Sequence, residues 1–315
     1  EWYKNTSEDL LYAVPVPEQA GVSNTTVTMN AASMNNSGFE FSATYRNRDR
    51  DFKYELSANL STLRNRVTSL GFGTDSYISG AYITNVGQEI GQFYGWAYEG
   101  IARTQEDLDN HATQEGARIG DCLYKDVSGP DGKPDGKIDA NDQVVLGSGM
   151  PKIHFGLNAR FEYKRFDLSI ATFGALNYHV SDDIYNSLNS CYGWGNKEVG
   201  MLDANRFSED GSTYLSNVPR TYVTNSASLG WNDLFSSRKI QNAAYWKIAN
   251  VELGYNFPNE WFGKYVSDVR FYVSAQNLHT FTGYHGYNVD YAGGTFTPGY
   301  NFCSYPTART FMCGI

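Results

Sequence analysis

Five stretches of this chain alternate apolar and polar side chains with a period of two, and that pattern constrains the fold more than any other feature. In the first, Phe39, Phe41, Ala43 and Tyr45 interleave with Glu40, Ser42, Thr44 and Arg46. The next sets Phe52, Tyr54, Leu56, Ala58 and Leu60 against Lys53, Glu55, Ser57, Asn59 and Ser61. Further along, Phe155, Leu157, Ala159, Phe161 and Tyr163 oppose Asn158, Arg160 and Glu162, and Val269, Phe271, Val273 and Ala275 oppose Arg270, Tyr272, Ser274 and Gln276. Successive side chains of a strand point to opposite faces, so each run predicts a strand with one apolar and one wet side. The fifth run, Tyr245–Phe257, keeps a clean phase only from Val251 onward. Trp246 and Ile248 fall out of phase, which predicts a bulge or an inward contact there.

The connections between these strands are of two kinds. Short polar turns occur at Asn47–Asp51, around Lys164 and Arg165, and in the modest turn through Trp261, Phe262 and Tyr265. Between them lie long loops, roughly 6–37, 67–153, 177–243 and 282–305. Eight strands are predicted, from a stub at Glu1–Asn5 to the closing TARTFMCGI. Strict alternation of tight turns and long loops is the topology of an outer-membrane barrel, whose closed antiparallel wall satisfies every backbone polar group inside the lipid. A soluble β-sandwich also shows period-two strands. What favours the barrel is a nearly uniform aromatic and aliphatic face, over about the ten residues that a tilted membrane strand needs. Eight strands either close a small barrel alone or form the last part of a larger wall.

Composition agrees. Aromatic residues make up 15% of the chain, with 24 Tyr, as in β-proteins and proteins of the membrane interface. No run of eighteen apolar residues is present, so no transmembrane helix is written, and no basic start with an apolar run marks a signal peptide. Net charge is −9 with no Lys/Arg cluster, which argues against nucleic acid as a partner. No Ser/His/acid constellation supports an enzyme, and the GQFYGW stretch lacks the Lys-Ser/Thr of a phosphate loop. The four cysteines, Cys122, Cys191, Cys303 and Cys313, form no C-x-x-C pair, so zinc is not expected. In an oxidising compartment Cys122 and Cys191 are candidates for a bridge.

Several blocks then follow one another in a telling order: VPVPEQAGVSNTTVTMNAASMNNSGFEFSATYR, IGQFYGWAYEGI (Ile90–Ile101), VLGSGMPKIHFGLN (Val145–Asn158), VELGYNFP, SAQNLHTFTGYHGYNVD and SYPTARTF. In that order and spacing the chain resembles the C-terminal third of SusC/RagA-like TonB-dependent outer-membrane transporters. The resemblance implies a transmembrane antiparallel β-barrel of 22 strands with a plug in its lumen, located in the bacterial outer membrane and driven by the TonB system. It implies a SusD-like surface lipoprotein as lid, and oligosaccharides or peptides as cargo. The plug, the TonB box and about fourteen strands have no counterpart in residues 1–315, which read as one wall segment of the larger barrel. Glu40, Lys53, Glu55, Arg160, Glu162 and Arg270 would face the lumen and the plug. The rival reading is an autonomous eight-stranded barrel serving as an adhesin or anchor.

Two groups of site candidates stand on the 67–153 loop and its neighbours. The segment DGKPDGKIDAND sets Asp131, Asp135, Gly136, Ile138, Asp139 and Asp142 at the positions of an EF-hand-like frame that needs oxygen donors, a Gly at the reversal and an apolar anchor. Lys133 breaks that frame. A second frame starts at Asp126 and Ser128 and treats PDGKP as an insertion. Structural Ca2+, pinning the loop over the barrel mouth, is the expected cofactor of Asp126, Asp131, Asp135, Asp139 and Asp142. For cargo, sugars stack on aromatic faces and bond to planar amides, which singles out Tyr192, Trp194, Trp231, Asn232, Tyr284 and Tyr287.

Overall fold

The structure, a computed structural model, describes residues 1–15, 26–71, 73–129, 131–191, 196–201, 207–208, 216–221, 230–263, 266, 268–290 and 293–315. In chain order the strands begin with β1 (Trp2–Pro15), β2 (Thr26–Asn47) and β3 (Phe52–Thr62). Short strands follow: β4 (Arg64–Ser69), β5 (Ser76–Ser79), β6 (Tyr82–Asn85), β7 (Gln92–Trp96), β8 (Tyr98–Ile101), β9 (Cys122–Tyr124) and β10 (Gln143–Ser148). Two long strands, β11 (Ile153–Tyr163) and β12 (Phe166–Leu176), lead to β13 (His179–Asp182) and β14 (Gln241–Asn242). The chain closes through β15 (Tyr245–Asn256), β16 (Arg270–Thr282), the short β17 (Gly293–Gly294), β18 (Thr297–Pro298) and β19 (Tyr300–Asn301), and finally β20 (Thr310–Gly314).

Eight of these form one antiparallel wall in the order β1-β2-β3-β11-β12-β15-β16-β20, with β4 added to the far end of β2. Every neighbour in the wall is the next long strand in sequence, so the predicted meander of eight is what folds. The register carries the two-faced pattern across strands. Tyr45 pairs with Leu56, Leu56 with Ala159, and Ala159 with Ile170, so one face is continuously apolar. On the other face Arg46 pairs with Glu55 and Glu55 with Arg160. Phe39, Phe41, Leu60, Leu157, Phe166, Leu253 and Phe271 stay exposed on the apolar face, as lipid-facing residues should.

The wet face is held by charge near the short turns. Glu55 accepts from Arg46 at 2.8 Å, and Arg270 bridges Asp167 at 2.6 Å and Glu252 at 2.7 Å. Charges that would be costly in lipid are thus paired on the lumen side. The turns are tight as expected: Lys164 takes a positive φ of 54° to reverse β11 into β12 within two residues.

Two expectations need correction. The stub at Glu1–Asn5 and the loop at 6–37 are instead a long hairpin, β1 paired with β2 from Trp2↔Phe39 to Pro15↔Thr26, with irregular register around Ser7, Leu10 and Leu11. β1 has no steady alternation, and in β2 the run Val27, Met29, Ala31 shifts phase at Ala32 and Met34 and lapses over Asn35–Ser37, so no single period-two run marks the hairpin. The 67–153 loop also contains a four-stranded sheet, β10-β7-β6-β5, and the β8–β9 pair.

The out-of-phase residues are resolved by a bulge. The ladder of β15 with β12 runs Ala171↔Asn250 and then Thr172↔Ile248, skipping Ala249. Val251 and Leu253 face lipid below the skip, and Trp246 and Ile248 do so above it. Without the extra residue Lys247 would point into the bilayer. With it, Lys247 faces the lumen side, buried and bonded to Asp290 at 2.6 Å. Trp246 stacks outside on Phe281, with ring centroids 5.3 Å apart, forming part of an interfacial aromatic band. Trp261 and Phe262, exposed at the opposite, short-turn end, contribute there; Tyr265 lies outside the described residues.

Candidate functional site

The long loops gather at one end of the wall, and buried polar contacts assemble them as much as apolar packing. β7 runs close against the segment at Phe235: Trp96 N donates to Phe235 O at 3.1 Å, and a Cβ on Gly95 would sit 2.1 Å from that oxygen. The glycine of the GQFYGW stretch therefore serves a close backbone approach. Tyr124, Trp96 and Trp231 pack around Cys122 and Ile138 beneath it. Burial in this cluster pushes the Tyr124 phenol well above its ordinary range and the Cys122 thiol up to about 12.

The acidic loop hangs from the same cluster, anchored by Ile138 as its frame requires and by Trp96 Nε1 donating to Asp139 O at 3.0 Å. Its carboxylates hold backbone amides. Asp142, fully buried, accepts from Val127 N at 2.8 Å, Ser128 N at 3.1 Å and Asp139 N at 2.8 Å. Asp126 accepts from Gly136 N at 2.7 Å, Asp135 from Lys137 N at 3.0 Å and Asp139 from Asn141 N at 2.7 Å. These bonds follow the frame that begins at Asp126. The intervening residues form a small closed excursion, with Gly129 N on Lys133 O at 2.6 Å, and its tip leaves Asp131 exposed and outside the group.

Asp126, Asp135, Asp139 and Asp142 are thus brought into one loop, and Asp131 is not. As a cation site the arrangement is poorly matched. Amides occupy both carboxylate oxygens of Asp126 and Asp142 and one oxygen each of Asp135 and Asp139, and among the described residues no three His, Cys, Asp or Glu side chains are grouped to hold a metal. A hard cation needs six to eight oxygens free to turn inward.

The cargo candidates separate by burial. Asn232 is buried, accepts from Cys122 N at 2.7 Å and donates to Asp121 Oδ1 at 2.8 Å and Arg220 O at 3.0 Å. Tyr284 is buried, its hydroxyl bonded to Asp182 and to Asn301 Nδ2. Both have their polar atoms committed inside the loops, so they are corrected from surface contacts to loop-building residues. Trp231 is half-buried with its indole N–H on Glu115 O at 2.9 Å. Tyr287, 67% exposed, is the one described candidate presented to solvent. Tyr192 and Trp194 lie outside the described residues.

Sequence reasoning missed a cavity of about 770 Å3 at the top of the wall, on its lumen side. Its lining includes Leu63, Ile90, Met150, Phe173, Tyr245 and Val289, with Pro298 of the last long loop at its border, and it is open to solvent. Several polar groups at its edge are already paired: Asn65 with Asn36 and Ile90 N, Tyr178 Oη with Val289 O at 2.9 Å, Asp290 with Lys247; His154 and Thr295 line it as well. The signal that pointed toward it was the phase break at Trp246, because the same bulge turns Tyr245 and Lys247 inward.

This geometry defines an outer-membrane barrel wall with a built outer loop layer. No family model matches the chain. It is similar to TonB-dependent receptor P3 of Formosa agariphila, 30% identical over 100% of this chain and 31% of that protein, and to TonB-dependent receptor SusC of Bacteroides thetaiotaomicron, 26% identical over 99% of this chain and 29% of that one. The chain therefore spans about a third of the length of the relatives it matches. Among solved structures it is similar to the RagAB peptide transporter, with a TM-score of 0.77 and 23% identity over 99% of this chain and 32% of that one. The RagAB peptide importer in its open-open state gives a TM-score of 0.73. The chain is a SusC/RagA-like segment of a TonB-dependent outer-membrane β-barrel receptor.

Proposed function

We propose that this segment serves TonB-dependent import of oligosaccharides, with a SusD-like lipoprotein closing over its loop layer and the TonB system acting through parts of the receptor beyond this segment. The observation that carries it is a wall with one lipid face and one polar, charge-paired face, topped by loops that border a cavity on the polar side. Such a wall passes solute along its wet face, and the loops select at the mouth.

Peptide import is the second reading, and a specific observation favours it. The cavity lining is mostly aliphatic and aromatic, with Asn65, Tyr178 and Asp290 already paired and only His154 and Thr295 adding further side-chain polarity, which suits an apolar side chain better than a sugar with many hydroxyls in need of partners. Calorimetric titration of the full receptor with its lipoprotein, against oligosaccharide and peptide panels, decides between the two. Saturable glycan binding and TonB-dependent glycan uptake support the first reading, and peptide binding alone replaces it with the second. A heat-modifiable outer-membrane band at the size of these residues alone would overturn both in favour of an autonomous small barrel.

A further inference from the structure

We infer that Cys122 and Cys191 are joined by a disulfide in the mature protein, stapling the 67–153 loop to the 177–243 loop over the barrel mouth. The two residues are 69 positions apart (191 − 122) and come from different loops, yet both are wholly buried and both are pinned to the same two short segments. Cys122 N donates to Asn232 Oδ1 at 2.7 Å, and Cys191 N donates to the next residue, Asp233 Oδ1, at 3.2 Å. On the other flank Cys191 Sγ lies 3.9 Å from Pro219 O, while Asn232 Nδ2 donates to the following carbonyl, Arg220 O, at 3.0 Å. Adjacent residues of one segment, Asn232 and Asp233, thus hold the backbones of the two cysteines, and Cys191, Arg238 and Asp233 all act on the Cys122 thiol. A bridge needs Cα atoms within about 7 Å and a favourable torsion. In the structure both residues carry thiols, so the bond requires the two sulfurs to be brought together from the positions they hold there.

The surroundings fit a staple. The ion pair of Arg220 with Asp121, at 2.7 Å, and the amide of Asn232 already clamp the same loops together without covalent help. Outer loops of an outer-membrane protein mature in an oxidising compartment, where such pairs persist. The chemistry is a thiol–disulfide exchange. One cysteine thiolate attacks the disulfide of a protein oxidant of the secretory route, forming a mixed disulfide. The second thiolate then displaces the oxidant's sulfur. Two S–H bonds are lost and one S–S bond forms; the two electrons leave with the oxidant as its dithiol, and two protons balance the change. Burial holds the folded Cys122 thiol at about 12, far from the thiolate that must attack, so the exchange precedes closure of the loops. Cys303 and Cys313, both exposed and away from this cluster, remain thiols.

The test uses the full receptor purified from outer membranes without reductant, unfolded in denaturant with an alkylating maleimide, then digested for peptide mass mapping. The expected result is one linked species joining the peptides of Cys122 and Cys191, each taking label only after reduction, with Cys303 and Cys313 labelled from the start. Alkylation of both Cys122 and Cys191 in the unreduced, unfolded protein would overturn the inference, as would linkage of either to Cys303 or Cys313. The double variant C122S/C191S adds a second readout: it inserts normally and its loops are nicked by protease several-fold faster than wild type. An unchanged nicking rate would refute the stapling role. The inference uses the outer-membrane location and not the cargo reading, so its failure leaves the import proposal standing.

Discussion

The wall and the loop layer of this protein are built by different physics. In the wall, hydrogen bonds run from strand to neighbouring strand and side chains need only match their face: apolar to lipid, polar to lumen. In the loop layer short strands contribute little, and buried carboxylates, amides and part-buried ion pairs do the assembling, as Asp142, Asn232, Asp182, Lys247 and Arg220 illustrate. A wall position can therefore accept many residues of the right polarity. A loop position such as Asp142 accepts few, because its partners are backbone amides with nowhere else to bond.

The largest effect that would sharpen this contrast is a charge on the lipid face. Leu157→Arg is expected to destabilise the inserted barrel by about 2–4 kcal/mol, while Asn158→Arg, one residue on and facing the lumen, costs under ~1 kcal/mol. Urea unfolding of the full receptor in lipid vesicles measures both, and equal losses would erase the two-faced wall. Next comes Asp142→Ala, which strands three part-buried amides, at about 1–3 kcal/mol for each group left unsatisfied and less where water reaches it. Hydrogen exchange at Val127, Ser128 and Asp139 should rise sharply while the wall strands stay protected. If the wall loosened together with the loop, the two regions would be one cooperative unit.

A smaller effect tests the loop layer by pH. Burial lowers the His179 pKa below its ordinary value at β13, so protonation favours the unfolded form. The stability His179 contributes is full above the unfolded value, about 6.5, and is lost as pH falls from there toward the folded pKa. Acid-induced exchange around residues 177–182 should appear below that point and flatten in His179→Phe. The smallest expected effect is that of chelation. If amides rather than calcium close the 126–142 loop, excess chelator leaves its proteolysis unchanged and Asp131→Ala changes stability by under ~0.5 kcal/mol. Faster nicking after chelation would restore calcium as the loop's keystone.

The same division explains what could be read in advance. Wall strands announce themselves because one period-two rule governs ten residues at a time, and even the bulge at Ala249 showed as a broken phase at Trp246 and Ile248. The β1–β2 extension was missed because β1 lacks alternation and the period-two run of β2 shifts phase at Ala32 and Met34, so no uninterrupted run spans it. Loop chemistry was legible only in part. The frame of Asp126, Asp135, Asp139 and Asp142 correctly gathered residues that share a loop, yet the donors they meet are amides set by tertiary folding. Asn232 and Tyr284 looked like surface contacts because nothing local distinguishes an exposed loop amide from one buried against Asp121, 111 positions earlier. The cavity at Pro298 collects residues from seven separate stretches of chain, and no spacing rule links them.

The most direct test of the central claim is probe accessibility along β11 in the full receptor reconstituted in bilayers. Single cysteines from 155 to 163, in a background lacking the native ones, would carry a spin label read with oxygen and with a water-soluble relaxing agent. The account predicts a period of two: oxygen dominates at Phe155, Leu157, Ala159, Phe161 and Tyr163, and the aqueous agent dominates at Gly156, Asn158, Arg160 and Glu162. Uniform aqueous access along the strand would contradict it and return the chain to a soluble β-sandwich.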